Sequence, residues 1–137
     1  MKQTLLLIAL LALPILACAD FKKIQGTWKP SAGEIGGHPF PKEVLDKMVL
    51  IIKGDTYDYD EGHGHDIGIL KAVGAKPPLG MDIVGTTGPN KGKTYVTIYK
   101  LEGPTLTITY ALDGIRPKSF EEKPKPTTMT IKYHRVH

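Results

Sequence analysis

The potential metal ligands and proton-transfer groups of this chain are densest in one stretch, Asp58-Tyr59-Asp60-Glu61-Gly62-His63-Gly64-His65-Asp66, with four acids and two histidines in nine residues. If the backbone is extended there, His63 and His65 project from one side, because side chains alternate along a strand. Alternating imidazoles can grip a borderline metal such as zinc or copper, with Asp60 and Asp66 completing the site. The same residues also suit a solvated hairpin tip, glycines making the turn and carboxylates facing water. Familiar catalytic arrangements are missing. Neither Ser31 nor Ser119 has the strand-turn-helix context of an activated nucleophile, and there is no His-Glu-x-x-His. Gly85-Thr86-Thr87-Gly88-Pro89-Asn90-Lys91-Gly92-Lys93 lacks the spacing and the following helix of a phosphate loop, and reads as a hairpin loop. No enzymatic activity and no cofactor are expected.

A second set of residues suits binding. Met81 and Ile83, then Leu106, Ile108 and Tyr110, then Met129, Ile131 and Tyr133 recur at every second position of three segments, and Tyr57 and Tyr59 join them if their segment keeps register. Gathered inside a closed sheet, they would make an apolar cavity in which phenol hydroxyls orient a small apolar or amphipathic ligand and aliphatic groups supply the burial. The alternative is an interior filled by its own side chains. Function would then move to the outer face, or to the Lys-rich residues 116–126 as a contact for an envelope protein.

Positioning either set requires strands, and composition and periodicity both point to them. Fifteen glycines and eleven prolines in 137 residues are too many for a helical bundle and show no collagen-like repeat. Period-two segments are expected at 24–28, 48–52, 56–60, 67–73, 81–84, 95–101, 106–112 and 127–136, punctuated by Gly- and Pro-containing turns. Lys53-Gly54-Asp55 makes a hairpin or a bulge, and Glu102-Gly103-Pro104 a tight connection. The Gly-rich residues 33–41 should break the first strand, and Pro77-Pro78 cannot lie inside a central ladder. Pro41-Lys42-Glu43-Val44-Leu45-Asp46-Lys47 is the single helical candidate, two turns at most. The expected fold is all-β, a small eight-stranded antiparallel up-and-down barrel with one short helix. A sandwich would bury the same strands, but closing the sheet also removes two edges, and the Cys and Trp spacing of an immunoglobulin domain is not present.

The chain begins like an export signal. Lys2 precedes an apolar run over 5–16, too short to span a bilayer. Ile15-Leu16-Ala17-Cys18 then resembles a bacterial lipobox, in which the cysteine is acylated after cleavage. The expectation is a lipoprotein-type signal over 1–17, a membrane anchor at Cys18 and a single domain over 18–137. Cleavage after residue 19, at Ala17-Cys18-Ala19, would give a secreted protein instead. Losing 1–17 lowers the formal charge from +4 to +3, and with Cys18 the only cysteine no internal disulfide can form. Lysines are scattered singly, so nucleic acid is not an expected partner.

Strand parity sharpens the picture. Ile24, Gly26 and Trp28 share a face at the start, and Met129, Ile131, Tyr133 and Arg135 share one at the end. Arg135 on an apolar face is costly unless its guanidinium lies over an aromatic ring, and Trp28 is the only tryptophan. A Gly-x-Trp on the first strand with an Arg on the last resembles the lipocalin and calycin signature, in which the pair closes the base of the barrel. The chain also resembles the lipocalin-like domain of uncharacterised function common in planctomycete bacteria. That likeness runs over nearly all of 21–136 and rests on Gly26-Thr27-Trp28, Pro41-Lys42-Glu43-Val44-Leu45, Gly88-Pro89-Asn90-Lys91-Gly92-Lys93 and Arg116-Pro117-Lys118-Ser119-Phe120. It implies export, a small barrel and no assigned chemistry; the lipocalin signature implies structural roles for Gly26, Trp28 and Arg135, and the lipobox an envelope location, periplasm or outer membrane.

Overall fold

The structure, a computed structural model, describes residues 21–137; the expected signal over 1–17, the alternative cleavage after 19 and Cys18 lie outside the described residues. The elements follow in order: a 3-10 turn Lys22–Ile24, β1 Gly26–Ile35, β2 His38–Pro39, α1 Lys42–Leu45, β3 Val49–Lys53, β4 Thr56–Asp60, β5 His65–Val73, β6 Leu79–Thr87, β7 Thr94–Glu102, β8 Thr105–Ala111 and β9 Thr128–Val136. Every pairing is antiparallel, and apart from β2 each strand lies beside its successor. Pairing of β1 with β9 closes the sheet into an eight-stranded up-and-down barrel, with β2 as an extra strand beside the end of β1.

Two expectations at the start of the barrel are corrected. Ile24 belongs to the 3-10 turn, not to the first strand, and its carbonyl accepts the Trp28 Nε1 hydrogen at 2.9 Å. The Gly-rich residues 33–41 do not break β1, which runs to Ile35 and turns through Gly36-Gly37 into β2. Gly33 is useful there because it has no side chain: a Cβ would stand 3.0 Å from the Phe40 ring and 3.1 Å from Leu45, the two groups that α1 and its approach press onto β1. The two hairpins expected at residues 53–55 and 102–104 form with two-residue turns, pairing Lys53 with Thr56 and Glu102 with Thr105.

One end of the barrel is sealed. Trp28 on β1 faces Arg135 on β9 in register, and the guanidinium carbon lies 4.3 Å from the indole centroid. The Arg135 Nη2 donates to the Lys23 carbonyl at 2.8 Å, and Nη1 donates to the Gln25 carbonyl. Gly26 leaves room for this: it sits at φ +122°, and a Cβ would stand 3.2 Å from Arg135 Nη1. Gln25 also holds the β3–β4 turn, exchanging two hydrogen bonds with Gly54 at 2.7 and 2.9 Å.

The core of buried residues includes Ile24, Trp28, Met81, Leu106, Ile108, Ile131 and Tyr133, each at most 1% exposed. Burial also continues outside. Thr107 and Thr109 point outward from β8 yet are buried, because residues 112–127 run back across the outer face of β6 to β9. Arg116 anchors that loop, donating to the Thr97 carbonyl at 2.6 Å and pairing with Asp82, while Lys100 lies 4.6 Å from the Phe120 ring centroid. Part of the Lys-rich segment is therefore committed to its own barrel.

Candidate functional site

The other end of the barrel opens into a cavity of about 330 Å³. Every residue expected on the inward face is there, and all but Leu106, which is fully buried towards the sealed end, line the cavity: Tyr57 and Tyr59 from β4, Met81 and Ile83 from β6, Ile108 and Tyr110 from β8, and Met129, Ile131 and Tyr133 from β9. Leu50, Ile52 and Leu70 complete the apolar wall, and Phe40, Val44 and Met48 form one side of the mouth. Val44 and Leu112 at the rim are 40% and 41% exposed, so the apolar lining continues to the outside.

The hydroxyls are arranged in pairs and chains. Those of Tyr110 and Tyr133 are 3.0 Å apart. Burial pushes the Tyr110 phenol up to about 12, with the bond to Tyr133 acting the other way, and burial together with Tyr110 raises Tyr133 well above the ordinary tyrosine value. Tyr57 and Tyr59 are raised as well, chiefly by burial. The next largest cause is the Asp66 charge at Tyr57 and the neighbouring Tyr110 at Tyr59, where Glu61 and Asp66 add to it.

Asp66 organises the polar part of the lining. Its Oδ1 accepts the Asn90 backbone N–H at 3.2 Å, and its Oδ2 accepts Asn90 Nδ2 at 2.7 Å and the Tyr57 hydroxyl at 3.5 Å. Tyr95 in turn donates to Asn90 Oδ1 at 2.9 Å. These bonds clamp the β6–β7 loop over the mouth. The loop can reach because β5 and β6 meet there through a Gly68–Gly85 pair beside a register shift, where Thr86 Oγ1 donates to the Ile67 carbonyl at 3.1 Å. A Cβ on Gly68 would overlap the Val84 carbonyl oxygen, and one on Gly85 would overlap that of Asn90.

The expected metal group does not assemble. Gly62 and Gly64 adopt φ +92° and +117°, so the chain is not extended across His63 and the imidazoles do not alternate on a strand. Pairing of Tyr59 with Asp66 and of Asp60 with His65 turns Asp66 inward and leaves His65 outside. His65 Nδ1 instead lies 2.7 Å from Asp58 Oδ1, with Asp60 3.9 Å from Nε2, and the hydrogen bond to Asp58 holds its pKa above the ordinary histidine value. Among the described residues, no three His, Cys, Asp or Glu side chains come together as a cation site.

Asp66, Asn90 and Tyr95 were not foreseen as cavity residues. Asp66 shares parity with Gly68 and Leu70, and Tyr95 with Thr97 and Tyr99, so alternation carried the signal for both. Asn90 lies in a loop, where no periodicity applies. Compared with known families, curated proteins and solved structures, the chain gives no match.

Proposed function

We propose that the protein is an exported, lipid-anchored binding protein of lipocalin-like type that holds a small amphipathic ligand in its barrel. The observation that carries this reading is the cavity of about 330 Å³, apolar over most of its wall, set with tyrosine hydroxyls and continuous with exposed Val44 and Leu112 at its mouth. Such a volume lies at the lower end of the range for small-molecule sites. Anchoring is supported by the lipobox-like Ile15-Leu16-Ala17-Cys18.

The test is titration of the purified protein with a small neutral fluorophore that matches the cavity, such as 1-aminonaphthalene. Saturable uptake with one site per chain is expected, and Ile108→Trp, which fills the cavity from β8, should abolish it while the far-ultraviolet circular dichroism is retained. Linear, non-saturable uptake, or uptake indifferent to Ile108→Trp in a folded variant, would overturn the binding role. For the anchor, intact mass of protein taken from its own envelope should carry a diacylglycerol-sized addition that Cys18→Ala lacks. A polypeptide of unmodified mass beginning after residue 19 would replace the anchored form by a secreted one.

A further inference from the structure

We propose that the ligand is a cationic amphiphile, an alkyl amine or alkyl ammonium compound whose positive head sits against Asp66 among the tyrosines at the cavity mouth; this rests on the binding role proposed above. The chain carries 18 Lys and Arg against 14 Asp and Glu, yet the cavity reverses that balance. Among the described residues its lining includes no Lys, Arg or His, and its two carboxylic acids are Asp66 and Glu61.

Asp66 is 7% exposed, and among the described residues the groups that hydrogen-bond it are neutral: the Asn90 N–H, the Asn90 side-chain amide and the Tyr57 hydroxyl. Neutral donors disperse a carboxylate charge without cancelling it. A buried anion gains most from a cation in contact, because attraction is weakly screened where water is excluded. Three donors on the two oxygens also leave acceptor capacity, since a carboxylate has about four lone-pair sites. The walls suit the same partner. Five of the six tyrosines (Tyr57, Tyr59, Tyr95, Tyr110 and Tyr133) line the cavity, and aromatic faces attract cations. Burial is the main cause of the raised Tyr57 and Tyr59 pKa values, and the Asp66 charge adds to both. A fatty-acid carboxylate in this position would be repelled.

Size sets the tail. At about 30 Å³ for each water-sized group, 330 Å³ holds on the order of a dozen non-hydrogen atoms. n-Decylamine, decan-1-ol and decanoate match that size and differ in head charge, so they are the probes. Each is titrated against bound 1-aminonaphthalene with the purified protein at neutral pH and low salt. The amine should bind at least tenfold more tightly than the alcohol, and the carboxylate more weakly than either. Asp66→Asn should collapse the amine-to-alcohol ratio towards one, and if that variant fails to fold the wild-type ratio still decides. Equal displacement by all three, or a preference for decanoate, overturns the cationic ligand while leaving the cavity as a binding site. Failure of both the fluorophore and decan-1-ol to bind overturns the binding role and this inference together.

Discussion

Replacing Arg135 by alanine should lower the stability of the barrel by about 2 kcal/mol. The guanidinium stacks 4.3 Å from the Trp28 ring centre in a site that is partly open to solvent. That contact is worth about 1 kcal/mol, between the values for exposed and desolvated cation–π pairs. Its bonds to the carbonyls of Lys23 and Gln25 join the 3-10 turn to the last strand. Charged hydrogen bonds contribute about 1.5–3 kcal/mol when buried, but these carbonyls rehydrate once the side chain is gone, so about 1 kcal/mol is assigned to both. For a domain of this size the sum corresponds to a fall in Tm of roughly 6–10 °C. Differential scanning calorimetry of wild type, Arg135→Ala, Trp28→Leu and the double variant gives the pairwise coupling as well, expected at about 1 kcal/mol. Arg135→Lys keeps the charge but not the fork, and should recover about half of the loss. A Tm for Arg135→Ala within 2 °C of wild type, or a coupling near zero, would refute the closing role of the pair.

Two further outcomes follow from the tyrosines. Tyr110→Phe leaves the fully buried Tyr133 hydroxyl without its partner and should cost about 1–3 kcal/mol in urea unfolding, whereas Tyr110→Phe with Tyr133→Phe should lie closer to wild type; additive losses would contradict the bond. Tyr57, Tyr59, Tyr110 and Tyr133 all have pKa values raised above the 10.0 of an unfolded phenol. Their contribution is complete below pH 10, and stability falls above it as the unfolded chain releases protons that the folded barrel keeps. Absorbance at 295 nm should therefore show a late ionising class that appears together with loss of circular dichroism. Reversible ionisation of these four near pH 10 with the fold intact would count against their burial.

Much of the architecture was legible because a strand announces itself by alternation. The spans 56–60, 95–101 and 106–112 were placed within a residue or so of β4, β7 and β8, and parity alone put Ile108, Ile131 and Tyr133 inside. The ends were harder. Ile24 alternates correctly with Gly26 and Trp28 but lies in a 3-10 turn, since a turn and a strand end can bury the same side chain. Residues 33–41 read as a break because glycine is depleted in strands, whereas Gly33 and the Gly36-Gly37 turn allow Phe40, Leu45 and β2 to close onto β1.

The Asp58–Asp66 stretch shows the limit most clearly. Its composition is equally suited to a metal site and to a hairpin tip, and nothing local separates the two. Pairing across β4 and β5 does: it sends Asp66 into the barrel and His65 outward to Asp58, splitting neighbours in sequence between two environments.

By itself the sequence determined the fold class, the closing Trp28–Arg135 pair and most of the inward face, because each depends on alternation along single strands and on one residue at either end. Tertiary structure decided which interior positions remain a cavity, that residues 112–127 cover the outer face, and that Asn90 reaches Asp66 from a loop 24 positions away. Those outcomes depend on strand register, loop path and the volume left unfilled when eight strands close, and none of them is a property of any one segment.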